Sequence, residues 1–193
     1  MDKAKLDALG HASLAEALGE RFHASPALLR RLNPELDRAT AGTVMKVPAV
    51  AGPATARAAR VVVDRSESVL RLLDDGGRVL AQYPASTGSE HDPLPIGDWD
   101  VKGKAYNPPY SYDPALLRGA PASNGKHQLP PGPNSPVGVV WIDLTKDHYG
   151  IHGTPSPDTI GTAESNGCVR LTNWDAARLA QMVSGSTKVE FRK

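Results

Sequence analysis

Ser165-Asn166-Gly167-Cys168-Val169-Arg170 decides how this chain is read, and it holds the only cysteine among 193 residues. Sixteen residues earlier stands His152, inside Tyr149-Gly150-Ile151-His152-Gly153-Thr154. A thiol attacks as thiolate, and a free pKa of about 8.5 leaves little thiolate at neutral pH without a nearby base or positive charge. His152 is the candidate base. Gly167 lets backbone approach a substrate with no Cβ in the way, and the amides of Gly167 and Cys168 are candidate donors to an oxyanion. A lone free cysteine is ordinarily a small buried packing residue. Polar Ser165 and Asn166 before Cys168, and Arg170 after it, suit instead a partly exposed thiolate in positive surroundings. The two segments together read as an acyl-transfer site.

His148 and His152, joined by Cys168 or Asp158, also make a candidate zinc set. An i,i+4 histidine pair meets one metal readily on a helix, whereas Tyr149 and Ile151 around Gly150 are β-prone and predict a strand. No metal and no organic cofactor is expected. Further strands are predicted at Arg60–Asp64, Ser68–Leu73, Arg78–Tyr83, Trp99–Lys102, Val137–Leu144 and Lys188–Phe191, with Asp74-Asp75-Gly76-Gly77 as a hairpin turn. One helix interrupts them, capped by Thr172 with Asp175 three residues on, striped by Leu179, Ala180 and Val183, and ended by Gly185. Cys168 then falls in the turn before that helix, where the helix dipole favours a thiolate. Prolines every few residues from Tyr106 to Pro136 predict an ordered loop, a candidate lid, with Tyr110, Tyr112 and Trp141 as candidate groove walls. Asp143, Asp147 and Asp158 invite comparison with a glycosidase acid pair but read as solvated surface charges.

Ahead of residue 50 the composition is different. Leu14, Leu18 and Phe22 recur at helical spacing, and a second helix starts with Ser25 as N-cap, Pro26 at N1, and Leu28, Leu29 and Leu32 behind. Asn33-Pro34 stops it. A β-prone piece, Thr43–Val47, ends at Pro48, and the Ala-rich stretch 49–59 with Gly52-Pro53 reads as linker. The formal charge of +1, with no block of like charge, argues against nucleic acid or an anionic membrane as partner. No run of about 18 apolar residues is present to span a membrane.

The segments around His152 and Cys168 resemble the bacterial L,D-transpeptidases, cysteine enzymes that cross-link or trim peptidoglycan stem peptides. Their signature is His-Gly followed by Ser-(His/Asn)-Gly-Cys-Val-Arg. Ala85-Ser86-Thr87-Gly88, Pro93–Trp99 and Pro130–Gly138 are similar to further family blocks in the same order. Many members carry a second histidine where this chain has Asn166, which leaves His152 as the sole base. The resemblance implies a mainly β sandwich or barrel catalytic domain over residues 60–193, with 51–59 as linker. The front, 1–50, resembles a LysM module, the small α+β (βααβ) fold that binds glycan chains, its first strand expected near Leu9–Ala12.

Implied roles follow residue by residue. Cys168 is the nucleophile and His152 its base, with a backbone carbonyl near Gly153 orienting the imidazole. Gly167 and Cys168 supply the oxyanion donors. Arg170, as carboxylate clamp or brace, with Ser165, Asn166, Tyr149 and Trp141 would contact substrate. The donor stem loses D-Ala and forms a thioester, which passes to an amine of a second stem, to a lipoprotein lysine, or to water if the enzyme is a carboxypeptidase. Partners are then peptidoglycan stem peptides and glycan strands. The expected location is the periplasm or cell envelope; Met1–Lys5 carries no apolar signal region, so a leader outside the given residues is expected. The rival classes are a zinc-dependent cell-wall peptidase and a non-catalytic wall-binding protein.

Overall fold

Ser13 and Ser25 each stand one residue ahead of an apolar run, and each hydroxyl accepts the backbone N–H three residues on, at 3.1 Å. In the computed structural model, which describes residues 2–50, 52, 56–116, 119–165 and 167–193, these caps start α1 (Leu14–Arg21) and α2 (Pro26–Leu32). Asn33 ends α2, and its side-chain amide binds Leu29 O, Lys46 O and Lys46 N–H. That tie draws the following segment back over a small core of Ala15, Leu29 and Leu36, against which Met45 and Val47 pack. The strands expected near Leu9–Ala12 and at Thr43–Val47 do not form: the second segment is fixed by the Asn33 side chain rather than by a strand partner. The βααβ arrangement is therefore reduced to its two helices among the described residues. Residues Gly10–Pro53 form one compact unit, and Met1–Leu9 with Ala54–Lys193 form the other.

In the larger unit the run Val61–Val63 has no polar face, so it is stable only where both faces are covered. It forms β1 (Arg60–Asp64), every residue but the first buried. β2 (Val69–Leu73) and β3 (Val79–Pro84) follow as a hairpin, its turn closed by the Asp74 carboxylate on the Gly76 and Arg78 amides. β4 (Gly97–Tyr106), β5 (Tyr110–Tyr112), β6 (His127–Leu129), β7 (Val140–Leu144), β8 (Gly150–His152), β9 (Val169–Arg170), α3 (Asn173–Met182) and β10 (Lys188–Arg192) complete the order. Eight strands make one sheet in the order β3-β2-β1-β10-β4-β7-β8-β9. Ser86 and Gly88, just past β3, bridge to Arg170 and Ser165 at the opposite edge. The sheet thus curls until its edges meet, which removes the unpaired edge that would otherwise run beside Cys168. α3 fills the interior with Ala176, Leu179, Ala180 and Met182 against Leu70, Leu72, Ile142, Ile151, Val189 and Phe191. No described helix is long and apolar enough to cross a membrane.

Five sequence expectations are corrected. β4 runs on to Tyr106, with an irregularity between Val101 and Gly103 that shifts its register on β7 by one residue. Residues 137–139 do not join β7, because Gly138 turns the chain at φ +61° and the Val139 N–H is taken by the Asn173 side chain. The proline-rich stretch 106–136 is not all loop: β5 and β6 pair in its middle, Tyr110 opposite Leu129 and Tyr112 opposite His127. Thr172 caps α3 with Asp175 as expected. The helix ends at Met182, short of Gly185, and Cys168 is separated from it by β9.

Candidate active site

β8 and β9 run parallel, with Ile151 opposite Val169 and His152 opposite Arg170. Extending that register by one residue sets Cys168 opposite Gly150, and the Gly150 N–H does donate to the Cys168 sulfur. Side chains two apart on a strand share a face, so Cys168 and Arg170 on one chain and His152 on the other project together. The sixteen-residue spacing between His152 and Cys168 is thus the length of a crossover between adjacent parallel strands.

The thiol also donates to His148 O at 3.7 Å. His148 adopts φ +66°, an uncommon conformation for a residue with a Cβ, in the turn that delivers β8. Gly167 is glycine for two reasons: its φ is +99°, and a Cβ there would lie 2.8 Å from the Tyr149 ring. Tyr149 is covered on its other flank by Lys146 Nζ, 5.9 Å from the ring centre and 5.4 Å from that of Trp99. Ser165 Oγ donates to Cys168 O at 2.5 Å, closing the turn that carries the nucleophile candidate. Asn166 lies outside the described residues.

His152 is buried, and its Nδ1 lies 2.6 Å from Gly153 O. A carbonyl only accepts, so Nδ1 carries the hydrogen and Nε2 is left as the basic nitrogen. The carbonyl expected near Gly153 is that of Gly153 itself. Trp141, the cross-strand partner of His152 on β7, stacks on the imidazole with centroids 5.3 Å apart and planes 17° from parallel. Its ring also occupies the space a Cβ on Gly150 would need. Trp141 therefore backs the imidazole as well as bordering the site.

Burial, followed by the nearby Arg170 charge, depresses the His152 pKa to about 4, against the opposing hydrogen bond to Gly153 O. Burial likewise pushes the Cys168 thiol up, although the Gly150 N–H opposes that. The resting pair is neutral thiol and neutral imidazole, a correction to the thiolate expected from the polar flanking residues, although Cys168 is partly exposed as expected. The guanidinium of Arg170 binds Ala163 O at 3.4 Å and also Glu164 O. Those contacts brace the loop ahead of Ser165. Tyr110, on the β5–β6 hairpin, has its hydroxyl pKa raised by burial first, and Cys168 adds to that shift when it carries charge. Asp143, one of the acidic candidates, pairs with Lys102 at 3.5 Å on the surface. No group of three or more His, Cys, Asp or Glu side chains is arranged to hold a metal among the described residues.

A curled β-sheet thus carries Cys168 and His152 on neighbouring parallel segments, a candidate cysteine-centred site. Residues 58–191 match the YkuD family, the L,D-transpeptidase catalytic domain, and the chain belongs to that family. It is 30% identical over 173 residues to the putative L,D-transpeptidase YkuD of Bacillus subtilis, covering 89% of both chains. Among solved structures, an L,D-transpeptidase from Mycobacterium smegmatis is 26% identical with a TM-score of 0.56, over 69% of this chain and 58% of that one. The L,D-transpeptidase LdtMt1 in complex with imipenem shares the fold at 21% identity and a TM-score of 0.55, over the same shares of the two chains. The chain thus spans under two thirds of these solved relatives.

Proposed function

We propose that the protein is a peptidoglycan L,D-transpeptidase using Cys168 as nucleophile. The observation that carries this reading is the Cys168–His152 face, with Nδ1 tied to Gly153 O, in a chain of this family. As the sulfur approaches the carbonyl of the diamino acid that precedes D-Ala, His152 Nε2 takes the thiol proton. The carbon–sulfur bond forms, the oxyanion rests on the Gly167 and Cys168 amides, and the carbon–nitrogen bond breaks. The same proton goes to the departing D-Ala amine. In the second half an amine attacks the thioester, gives its proton to His152 and so returns the thiol. No charge need be stored between turnovers, which suits the neutral resting pair. Ser165 and Arg170 hold the nucleophile turn in this scheme, while Tyr149, Trp141 and Asn166 border the bound stem. The work is done on the cell wall, in the periplasm or envelope.

Incubation with purified muropeptides, followed by mass analysis, tests the assignment. A cross-linked dimer with release of D-Ala is expected from transpeptidation, and a stem shortened by D-Ala alone from carboxypeptidase action. A substrate recovered unchanged under both conditions would remove the reading. A carbapenem offers a second check, since its strained carbonyl stands in for the donor carbonyl and an enzyme of the same fold has been solved with imipenem. One adduct mass on the peptide containing Cys168 is expected.

We also propose that the catalytic domain is residues 60–193, joined by 51–59 to a LysM-like front module that touches glycan strands. Its support is the pair of serine-capped helices and the Asn33 tie to residue 46. Retention on intact sacculi with an unaltered rate on small soluble muropeptides is the behaviour expected of such a module.

A further inference from the structure

Gly153 supplies the carbonyl that receives the His152 Nδ1 hydrogen, but a glycine restricts its own peptide planes least of all residues. The direction of that carbonyl is therefore set by its surroundings. Foremost among them is Asn173, the first residue of α3, only 2% exposed. A Cβ on Gly153 would overlap Asn173 Oδ1 and come 3.2 Å from its Cγ. A Cβ on Gly138 would overlap the same oxygen and lie 2.8 Å from the Gly153 carbonyl carbon. The side-chain amide, Gly138 and Gly153 thus meet at one point that admits no further methyl group. The amide is anchored on both sides: the Val139 N–H donates to Oδ1 at 3.2 Å, and Nδ2 donates to Pro133 O at 3.1 Å.

We infer that Asn173 is a positioning residue for the base: its buried amide wedges Gly138 and Gly153 so that the Gly153 carbonyl keeps the hydrogen on His152 Nδ1 and leaves Nε2 free to take the thiol proton. This inference rests on the reading of Cys168 and His152 as a catalytic pair, and it ties three separate sequence segments to one tautomer. A neutral imidazole has two tautomers, and only the form with bare Nε2 serves as base toward the sulfur. If the Gly153 carbonyl drifts, the 2.6 Å bond that selects this form weakens and the other tautomer gains population. Asn173→Ala removes the wedge. Asn173→Asp keeps its shape but replaces the donor to Pro133 O with an acceptor.

The test compares both variants with the unaltered full chain labelled with 15N-histidine, the His152 ring signals being assigned by their loss in His152→Gln. The unaltered chain is expected to show the Nδ1-protonated neutral ring, and both variants a shift toward the Nε2-protonated form. Iodoacetamide alkylation of Cys168 at neutral pH should slow by roughly tenfold in the variants, because general-base help is lost. With muropeptides, kcat should fall by at least roughly tenfold while KM stays within about twofold. Thr172→Ala, which loses the α3 cap, controls for damage to the helix start and should leave the tautomer and the alkylation rate unchanged. An unaltered tautomer and alkylation rate in whichever Asn173 variant folds overturns the inference. If neither folds, Gly138→Ala presses on the same oxygen from the other side and is judged by the same two signals; should it too fail to fold, a tautomer in the unaltered chain that is not Nδ1-protonated overturns the inference. A tautomer that responds as expected in a protein inert toward muropeptides would keep the inference and reject the substrate assignment.

Discussion

Cys168 Sγ faces two backbone groups, the Gly150 N–H and the His148 carbonyl, and His152 stands on the neighbouring strand. With Cys168 as the proposed nucleophile and not a main packing element, Cys168→Ala should lower turnover by roughly a thousandfold or more while changing unfolding free energy by about 1 kcal/mol or less. Single-turnover mass analysis and urea melts measure the two quantities. His152 carries a stability signature of its own. Its pKa is about 4 in the fold against about 6.5 in an unfolded chain, so between those values the unfolded state binds a proton that the folded state refuses. Its neutral burial is therefore fully tolerated above pH of about 6.5, and stability is lost as pH falls toward 4, by an amount of order 3 kcal/mol. Urea midpoints at neutral and mildly acid pH should differ less in His152→Gln than in the unaltered protein; equal acid loss in both would place the titrating group elsewhere. Both residues were legible from the motif. Their neutral resting state was not, since it depends on burial by packing from elsewhere, such as the Trp141 ring stacked on His152 from β7.

That hairpin is the element whose type the sequence concealed. Prolines at 108, 109, 130, 131 and 133 argue for loop, yet they flank Tyr110–Tyr112 and His127–Leu129 rather than interrupt them. Proline breaks a ladder only where its missing N–H is needed. Tyr110 on this element is half-buried and within electrostatic reach of Cys168, and we propose that its ring shields the thiol. Tyr110→Ala should therefore speed alkylation of Cys168 by roughly several-fold at neutral pH, by moving the thiol back toward its ordinary range. With Tyr110 as the groove wall expected from the sequence, turnover of muropeptides should slow as well. An alkylation rate that is unchanged, followed across pH, would show that the hairpin does not shield the sulfur. β9 is the other case. Two residues of strand between Cys168 and α3 carry no periodicity to find, and only pairing with β8 and Ser86 makes them a strand.

At the scale of the molecule, the first nine residues belong with the unit that holds the site. Leu9 N–H donates to Pro131 O at 2.8 Å, Leu9 O accepts from Asn134 N–H at 2.9 Å, and the side chain is 3% exposed. These bonds steady the loop whose Pro133 O receives Asn173. Leu9→Ala should cost about 2 to 4 kcal/mol of stability, read from urea unfolding of the full chain. A chain starting after the linker should be weakened in the same way, whatever the front module binds. Residue chemistry that acts through nearest neighbours was fixed by the sequence alone: the serine caps, the Thr172–Asp175 cap, the buried valine strand, and the Gly-Cys and His-Gly pairs with their chemistry. Only the tertiary structure decided what depends on groups brought together from afar. It set which carbonyl holds Nδ1, and it replaced a strand partner with the Asn33 amide at Lys46 and with the Asn173 amide at Val139. It also closed the sheet through Ser86 and Gly88, and it left the thiol and imidazole neutral. The physical reason is that local conformational preference is written in adjacent residues, whereas burial and hydrogen-bond partnership are properties of the packed whole.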